Sequence, residues 1–119
     1  MKYVLIVALI ICTPGLYAKK LESNYRDVFC QKINGKTEYR LEDNARVDCL
    51  SDRYAIEIEF AKKWAEGIGQ SLYYAQMTHK TPAIGLIIAD GKEEVYLKRL
   101  THVADKHGIK IFIIKKDVE

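Results

Sequence analysis

Residues 54–74 constrain the fold more than any other stretch, because their pattern is that of a strand continuing directly into a helix. In the first part, apolar side chains alternate with Ala55, Glu57 and Glu59, which is typical of a strand with one apolar face. Glu57 and Glu59 are therefore predicted to point to the same side. From residue 61 onward, one apolar stripe recurs at helical spacing and a second stripe of different chemistry runs beside it. A helix that only packs on a core does not need the second stripe, which predicts a functional site here. The apolar stripe comprises Ala61, Trp64, Ile68, Leu72 and Ala75, and the second comprises Lys63, Gly67, Gln70 and Tyr74.

The rest of the chain predicts one mixed α/β domain, an α+β mixed sheet with helices packed on it. Apolar residues at helical spacing precede this stretch, and two short alternating runs follow them as a hairpin. Tyr39 and Leu41 are expected to face the core from the first hairpin strand, with Val47 and Cys49 from the second. A nearly continuous apolar run after the central helix favours a strand buried on both faces. The predicted elements are a helix at 19–34, strands at 37–42, 46–50 and 54–60, a helix from 61, a strand at 83–89, a helix at 93–107 and a strand at 110–116.

Residues 1–18 have the pattern of a secretory signal peptide. Lys2 precedes an apolar run that is too short to span a bilayer comfortably, and a cleavage after Ala18 would leave residues 19–119 as a single domain. A lipid anchor on Cys12 is the alternative. We expect the mature protein to be periplasmic or secreted, with no stable membrane span.

The mature segment keeps two cysteines, Cys30 and Cys49. In an oxidising compartment these residues are expected to form a disulfide, which would stabilise so small a domain by about 3 kcal/mol. Two separate buried thiols are the alternative. The formal net charge of +3 is too small to indicate nucleic acid or an acidic membrane as a partner, although it permits either.

Three carboxylates are expected on neighbouring strands of the sheet, on its polar side. Asp48, Glu57 and Glu59 would repel one another unless a cation lay among them, and their hard oxygens suit Mg²⁺ or Mn²⁺. Such an ion polarises a phosphodiester and lowers the pKa of a bound water, and a nearby lysine stabilises the developing charge. Lys63 is the better candidate than Lys62, because it shares the helix face of Gln70 and Tyr74, which would position the phosphate.

This pattern resembles the PD-(D/E)XK nuclease superfamily, in its RecB-type and Holliday-junction-resolvase-like branches. The residues that carry the resemblance are Asp48 in RVDC, Glu57 in EIE and the Gln70 to Tyr74 spacing in QSLYY, with Glu22 similar to a helix-one glutamate of some branches. The resemblance implies a restriction-endonuclease-like αβββαβ core, here with a C-terminal αβ extension. It also implies metal ligation by Asp48 and Glu57, with Glu59 and Glu22 as further ligands.

The sequence departs from the family at Glu59, which stands where the third-strand motif has a lysine. In some members the lysine comes from the following helix, and Lys63 fits that arrangement. The expected function is then an exported, metal-dependent nuclease, with DNA as the expected substrate and RNA as the alternative. The alternative is a catalytically inactive scaffold that serves as an exported binding or structural protein.

Simpler interpretations remain open for several of these residues. A strand with Glu57 and Glu59 on one face is often a solvated sheet face, and Glu22 is also explained by favourable placement near a helix N-terminus. Arg46 is expected either to bind phosphate or to pair with neighbouring acids. A domain of this size has little surface for sequence-specific contacts, so low specificity or a homodimer is expected.

Overall fold

The fold is known from a computed structural model that describes residues 14–116, apart from the side chains of Lys19 and Lys20. Most of the predicted signal peptide, residues 1–13, lies outside the described residues. None of the described helices is both long and apolar enough to cross a bilayer.

The described chain forms a five-stranded mixed sheet with four helices, counting one short 3-10 helix. This confirms the predicted mixed α/β class and the predicted order of elements. The elements are α1 (Pro14–Lys32), β1 (Lys36–Arg40), β2 (Arg46–Leu50), β3 (Tyr54–Phe60), a 3-10 turn (Ala61–Lys63), α2 (Trp64–Thr78), β4 (Thr81–Ile88), α3 (Glu94–His107) and β5 (Lys110–Lys115).

Helix α1 begins earlier than predicted, at Pro14 instead of Lys19. Pro14 can begin the helix because at the first helical position its missing N–H costs nothing and its fixed φ favours helix. The helix ends two residues before the predicted Asn34. Asn34 has a left-handed φ of 56°, and the Gly35 N–H donates to the Cys30 carbonyl at 2.9 Å, which closes the last turn.

The strands lie in the order β1-β2-β3-β4-β5. The first three form an antiparallel meander, whereas β3, β4 and β5 are parallel and are joined through α2 and α3. Parallel neighbours need crossover connections, which is why the second half of the chain alternates strand and helix. Five central residues of β4 are buried, which confirms the strand predicted to be covered on both faces.

Opposite faces of the sheet carry different helices. Helix α1 contributes Tyr25, Phe29 and Ile33 to a core that includes Ile56 and Ile58 of β3, and α2 and α3 pack on the other face. The predicted disulfide between Cys30 and Cys49 is present, with both residues fully buried, and it ties α1 to β2.

The buried surface of α2 is wider than the predicted stripe. Ala61 and Ala75 of that stripe are buried and Trp64 and Ile68 pack on the core that α3 shares, whereas Leu72 is 37% exposed. The residues buried in α2 are Gly67, Ser71, Tyr74 and Ala75. The small residues then bring α2 close to the sheet. Tyr39, predicted to face the core, is 39% exposed because β1 is an edge strand that is exposed along its whole length.

Candidate functional site

The site begins where β2 and β3 part. Within the described chain these strands pair at two positions only, both C-terminal to Asp48 in β2. Beyond them the Ile58 N–H donates to Asp48 Oδ2 at 2.8 Å, and the Asp48 N–H donates to Glu57 Oε1 at 3.3 Å. The two carboxylates thus satisfy backbone groups that a longer ladder would have paired. This arrangement places Asp48 and Glu57 next to each other at the opening between the strands.

At Asp48, the buried side chains of β2 change from one side of the sheet to the other. Cys49 bonds to Cys30 on the α1 side, whereas Val47 packs with Tyr74 on the α2 side. Residues two apart in a regular strand share a face, so β2 is twisted between them. The left-handed φ of 47° at Glu38, the β1 residue beside Asp48, accompanies this irregularity.

Glu57 and Glu59 lie beneath α2 and are buried, with 3% and 7% of their surface exposed. The interpretation of this strand face as a solvated one is therefore wrong. Gly67 allows the close approach of the helix, because a Cβ atom there would lie 3.2 Å from Glu59 Cγ. No described residue donates a hydrogen bond to the Glu59 carboxylate. Among the described residues, Glu93 Oε2 is the buried side-chain oxygen without a partner, so the Glu59 carboxylate is not an unsatisfied buried group.

Burial and mutual repulsion raise the pKa values of four carboxyl groups on three elements. Burial, followed by the charge of Asp48, raises the pKa of Glu57 to about 9. Burial, followed by the charges of Glu22 and Asp48, raises the pKa of Glu59 to about 8. Burial also raises the pKa values of Asp48 and Glu22. At neutral pH, then, the two glutamates on β3 hold protons unless a cation balances the charge.

Lys63 is the lysine that the fold brings to these acids. Its positive charge acts on both Glu22 and Glu59 and lowers their pKa values, against the larger effect of burial. It ends the 3-10 turn that connects β3 to α2, so the chain passes directly from the carboxylates to the lysine. Lys63 is thus a lysine whose charge reaches the carboxylates of α1 and β3.

Arg26 belongs to the same site, although sequence reasoning did not select it. With Glu22, Glu38 and Asp48 it lines a pocket of about 350 Å³ between α1 and the meander. Its guanidinium is only 17% exposed and pairs at 2.9 Å with both Asp27 and Glu38. Arg26 follows Glu22 by four residues, so helical spacing alone could have placed the two side chains on one face.

Of the remaining predicted site residues, Tyr74 and Arg46 lie near the carboxylates and Gln70 lies away from them. Tyr74 is 9% exposed, and its pKa is raised by burial and then by the charges of Glu57 and Asp48, so its hydroxyl lies beside that pair. Arg46 lies at the rim, 3.6 Å from Glu38. Gln70 is exposed, on the outer side of α2.

The carboxylates have the donor chemistry for a hard divalent cation, but their present positions do not form a ligand set. Among residues 14–116, no group of three or more His, Cys, Asp or Glu side chains is placed to hold a metal ion. Asp48 and Glu57 instead accept hydrogen bonds from backbone N–H groups. Each of these carboxyl groups uses one oxygen for its backbone bond and keeps the other for a ligand, so metal binding requires the acidic side chains to come closer together but not to leave the backbone.

No protein-family model matches the chain, and no curated protein or solved structure matches it either. The functional argument accordingly depends on the fold and on the geometry of this site.

Proposed function

We propose that this protein is an exported, Mg²⁺- or Mn²⁺-dependent phosphodiesterase that cleaves nucleic acid, DNA in preference to RNA, on a restriction-endonuclease-like core of the PD-(D/E)XK type. The observation that supports it most directly is the meeting of Glu22, Asp48, Glu57 and Glu59 with one lysine, Lys63. Export is supported by the buried disulfide, a feature of proteins that fold in oxidising compartments.

Each residue of the site has a role in this proposal. Asp48, Glu57 and Glu59 would hold the cation, with Glu22 as a further ligand, and hard oxygen donors suit Mg²⁺ and Mn²⁺. When bound, the cation polarises the phosphodiester and supplies a water of lowered pKa.

The cationic side chains act on the substrate. Lys63 stabilises the charge that develops on the phosphate, which is worth several kcal/mol in a water-poor site. Arg26 and Arg46, both paired with Glu38, orient the phosphate by exchanging that carboxylate for a phosphate oxygen. Tyr74, whose pKa is raised by burial and then by the charges of Glu57 and Asp48, would help to orient the substrate beside them.

Two observations favour a second function, an exported binding protein on the same scaffold without catalysis. Glu59 stands where the resemblance has a lysine, and Asp48 and Glu57 are engaged by backbone N–H groups. A protein that had lost catalysis would retain the fold and still present the pocket beside Arg26 to a ligand.

The test is cleavage of plasmid and single-stranded DNA by the oxidised protein with Mg²⁺, Mn²⁺ or a chelator. We expect metal-dependent cleavage that is abolished in Glu57→Gln and falls about a hundredfold in Lys63→Met. Lys62→Met is the matched control, since it removes the same charge from the adjacent residue and should leave cleavage unchanged. Equal inactivity of the wild type and Glu57→Gln, with no thermal shift in Mn²⁺, would refute the nuclease and leave the binding protein.

A further inference from the structure

The two faces of the sheet are unequally covered. Five strands form a surface about 24 Å wide, whereas one helix covers about 10 Å. Two helices, α2 and α3, lie on one face, and within the described residues α1 alone lies on the other. A strip beside α1 along β5 is consequently left partly uncovered.

This strip is a groove of about 620 Å³ between α1 and β5. Apolar side chains form both of its walls, with Val28 of α1, which is 52% exposed, on one side and Ile114 of β5 on the other. Ile113 lines the groove at the outer edge of β5, and its side chain, 43% exposed, lies on the face of Ile111. Lys32, Lys115 and Lys116 also line it, and none of the described lining residues is acidic. The groove therefore combines exposed apolar surface with positive charge.

The outer edge of β5 offers unpaired backbone groups along this groove. The Lys116 N–H donates to the Ile88 carbonyl, and the pairing of β4 with β5 is regular, so alternate residues of β5 bond to β4. Ile111, Ile113 and Lys115 are the residues of the opposite parity. Their N–H and C=O groups point away from the sheet, as a template for a further strand.

We propose that the groove binds an extended peptide segment, rich in acidic and apolar residues, that adds to β5 as a sixth strand. The unpaired edge supplies backbone hydrogen bonds, Val28 and Ile114 supply apolar contacts, and the lysines select acidic side chains. Edge lysines alone are a common guard against aggregation, but that role leaves the exposed apolar walls unexplained. The proposal is independent of the nuclease proposal.

Other occupants fit the groove less well. A second copy paired antiparallel through the outward groups of β5, with Ile113 opposite Ile113, would place Lys110 opposite Lys116, and like charges facing each other destabilise a strand pair. The apolar residues 1–13 contain only one charged residue, Lys2, and cannot complement the lysines. Single-stranded nucleic acid would need free rings for stacking, but Phe29 already packs on Phe112 at 5.4 Å.

The test is fluorescence anisotropy with a labelled peptide of alternating valine and glutamate, eight residues long. A valine–lysine peptide of the same length, an N-methylated valine–glutamate peptide and an eight-nucleotide oligo-dT are the comparison probes. We expect the valine–glutamate peptide to bind at least about tenfold more tightly than the other three.

Two variants and one control test whether the peptide binds along β5. Ile113→Pro removes one outward N–H without removing a bond to β4, and should weaken binding about three- to tenfold while the melting temperature of the protein falls little. Ile113→Val keeps that N–H and should bind as the wild type does. Lys115→Glu should reverse the preference between the two charged peptides. Equal binding of the two charged peptides, tighter binding of oligo-dT, or no effect of Ile113→Pro would overturn the proposal.

Discussion

Glu57→Gln should stabilise the metal-free protein above about pH 6 even though it removes a residue of the proposed site. Burial raises the pKa of Glu57 from its ordinary value of 4.5 to about 9. A carboxyl whose pKa is higher in the folded than in the unfolded protein makes its full contribution to stability at pH values below its unfolded-state pKa. That stability is lost as the pH rises toward the folded value, because unfolding then releases a proton.

The size of the effect follows from the shift. Each pKa unit corresponds to about 1.4 kcal/mol, so Glu57 alone sets an upper limit of about 5 kcal/mol at pH 8. Burying the amide that replaces the carboxyl costs part of this gain. We expect Glu57→Gln to gain about 2 kcal/mol at pH 8 and nothing at pH 4.5, which raises Tm by roughly 8–16 °C in a domain of this size.

The assay is thermal and urea unfolding in chelator across this pH range. Glu42→Gln, at an exposed carboxyl on the hairpin turn, is the matched control and should not change Tm. Adding Mn²⁺ should raise the stability of the wild type at pH 8 but should not raise that of Glu57→Gln, which lacks one of the proposed ligands. A wild type with pH-independent stability, or a Glu57→Gln variant less stable than the wild type at pH 8, would refute the reasoning.

Three further predictions concern the supports of the site. Gly67→Val should cost about 1–3 kcal/mol in urea unfolding, because its side chain would press on Glu59, whereas Gly69→Ala, where space is open, should gain up to about 1 kcal/mol from helix propensity. Replacing Cys30 and Cys49 together by alanine should lower the free energy of unfolding by about 3 kcal/mol and weaken Mn²⁺ binding measured by calorimetry, since the disulfide ties α1 to the strand of Asp48. Tyr74→Phe should reduce cleavage about tenfold with little loss of Tm, and unchanged cleavage would exclude the hydroxyl from the site.

The local pattern of residues was sufficient to predict the helices and strands of this fold. The alternation in β3, the unbroken apolar run of β4 and the glycine after α3 each follow from the chemistry of neighbouring residues, and the structure agrees with them. The pattern was insufficient where one helix contacts two neighbours. Helix α2 packs on both the sheet and α3, so Gly67 and Ser71 are buried outside the predicted stripe, while Leu72 of that stripe is exposed.

The sequence by itself determined which residues are candidates for a site: Asp48, the two glutamates of β3 and Lys63 follow from the predicted strands and from helical spacing. Only the tertiary structure decided their environment. Spacing cannot tell a solvated strand face from a buried one, because burial depends on whether a distant helix packs against it. It also cannot show that β2 and β3 separate at Asp48, or that α1 brings Arg26 to the same pocket. Those features arise from contacts between segments far apart in the chain, which no local pattern records.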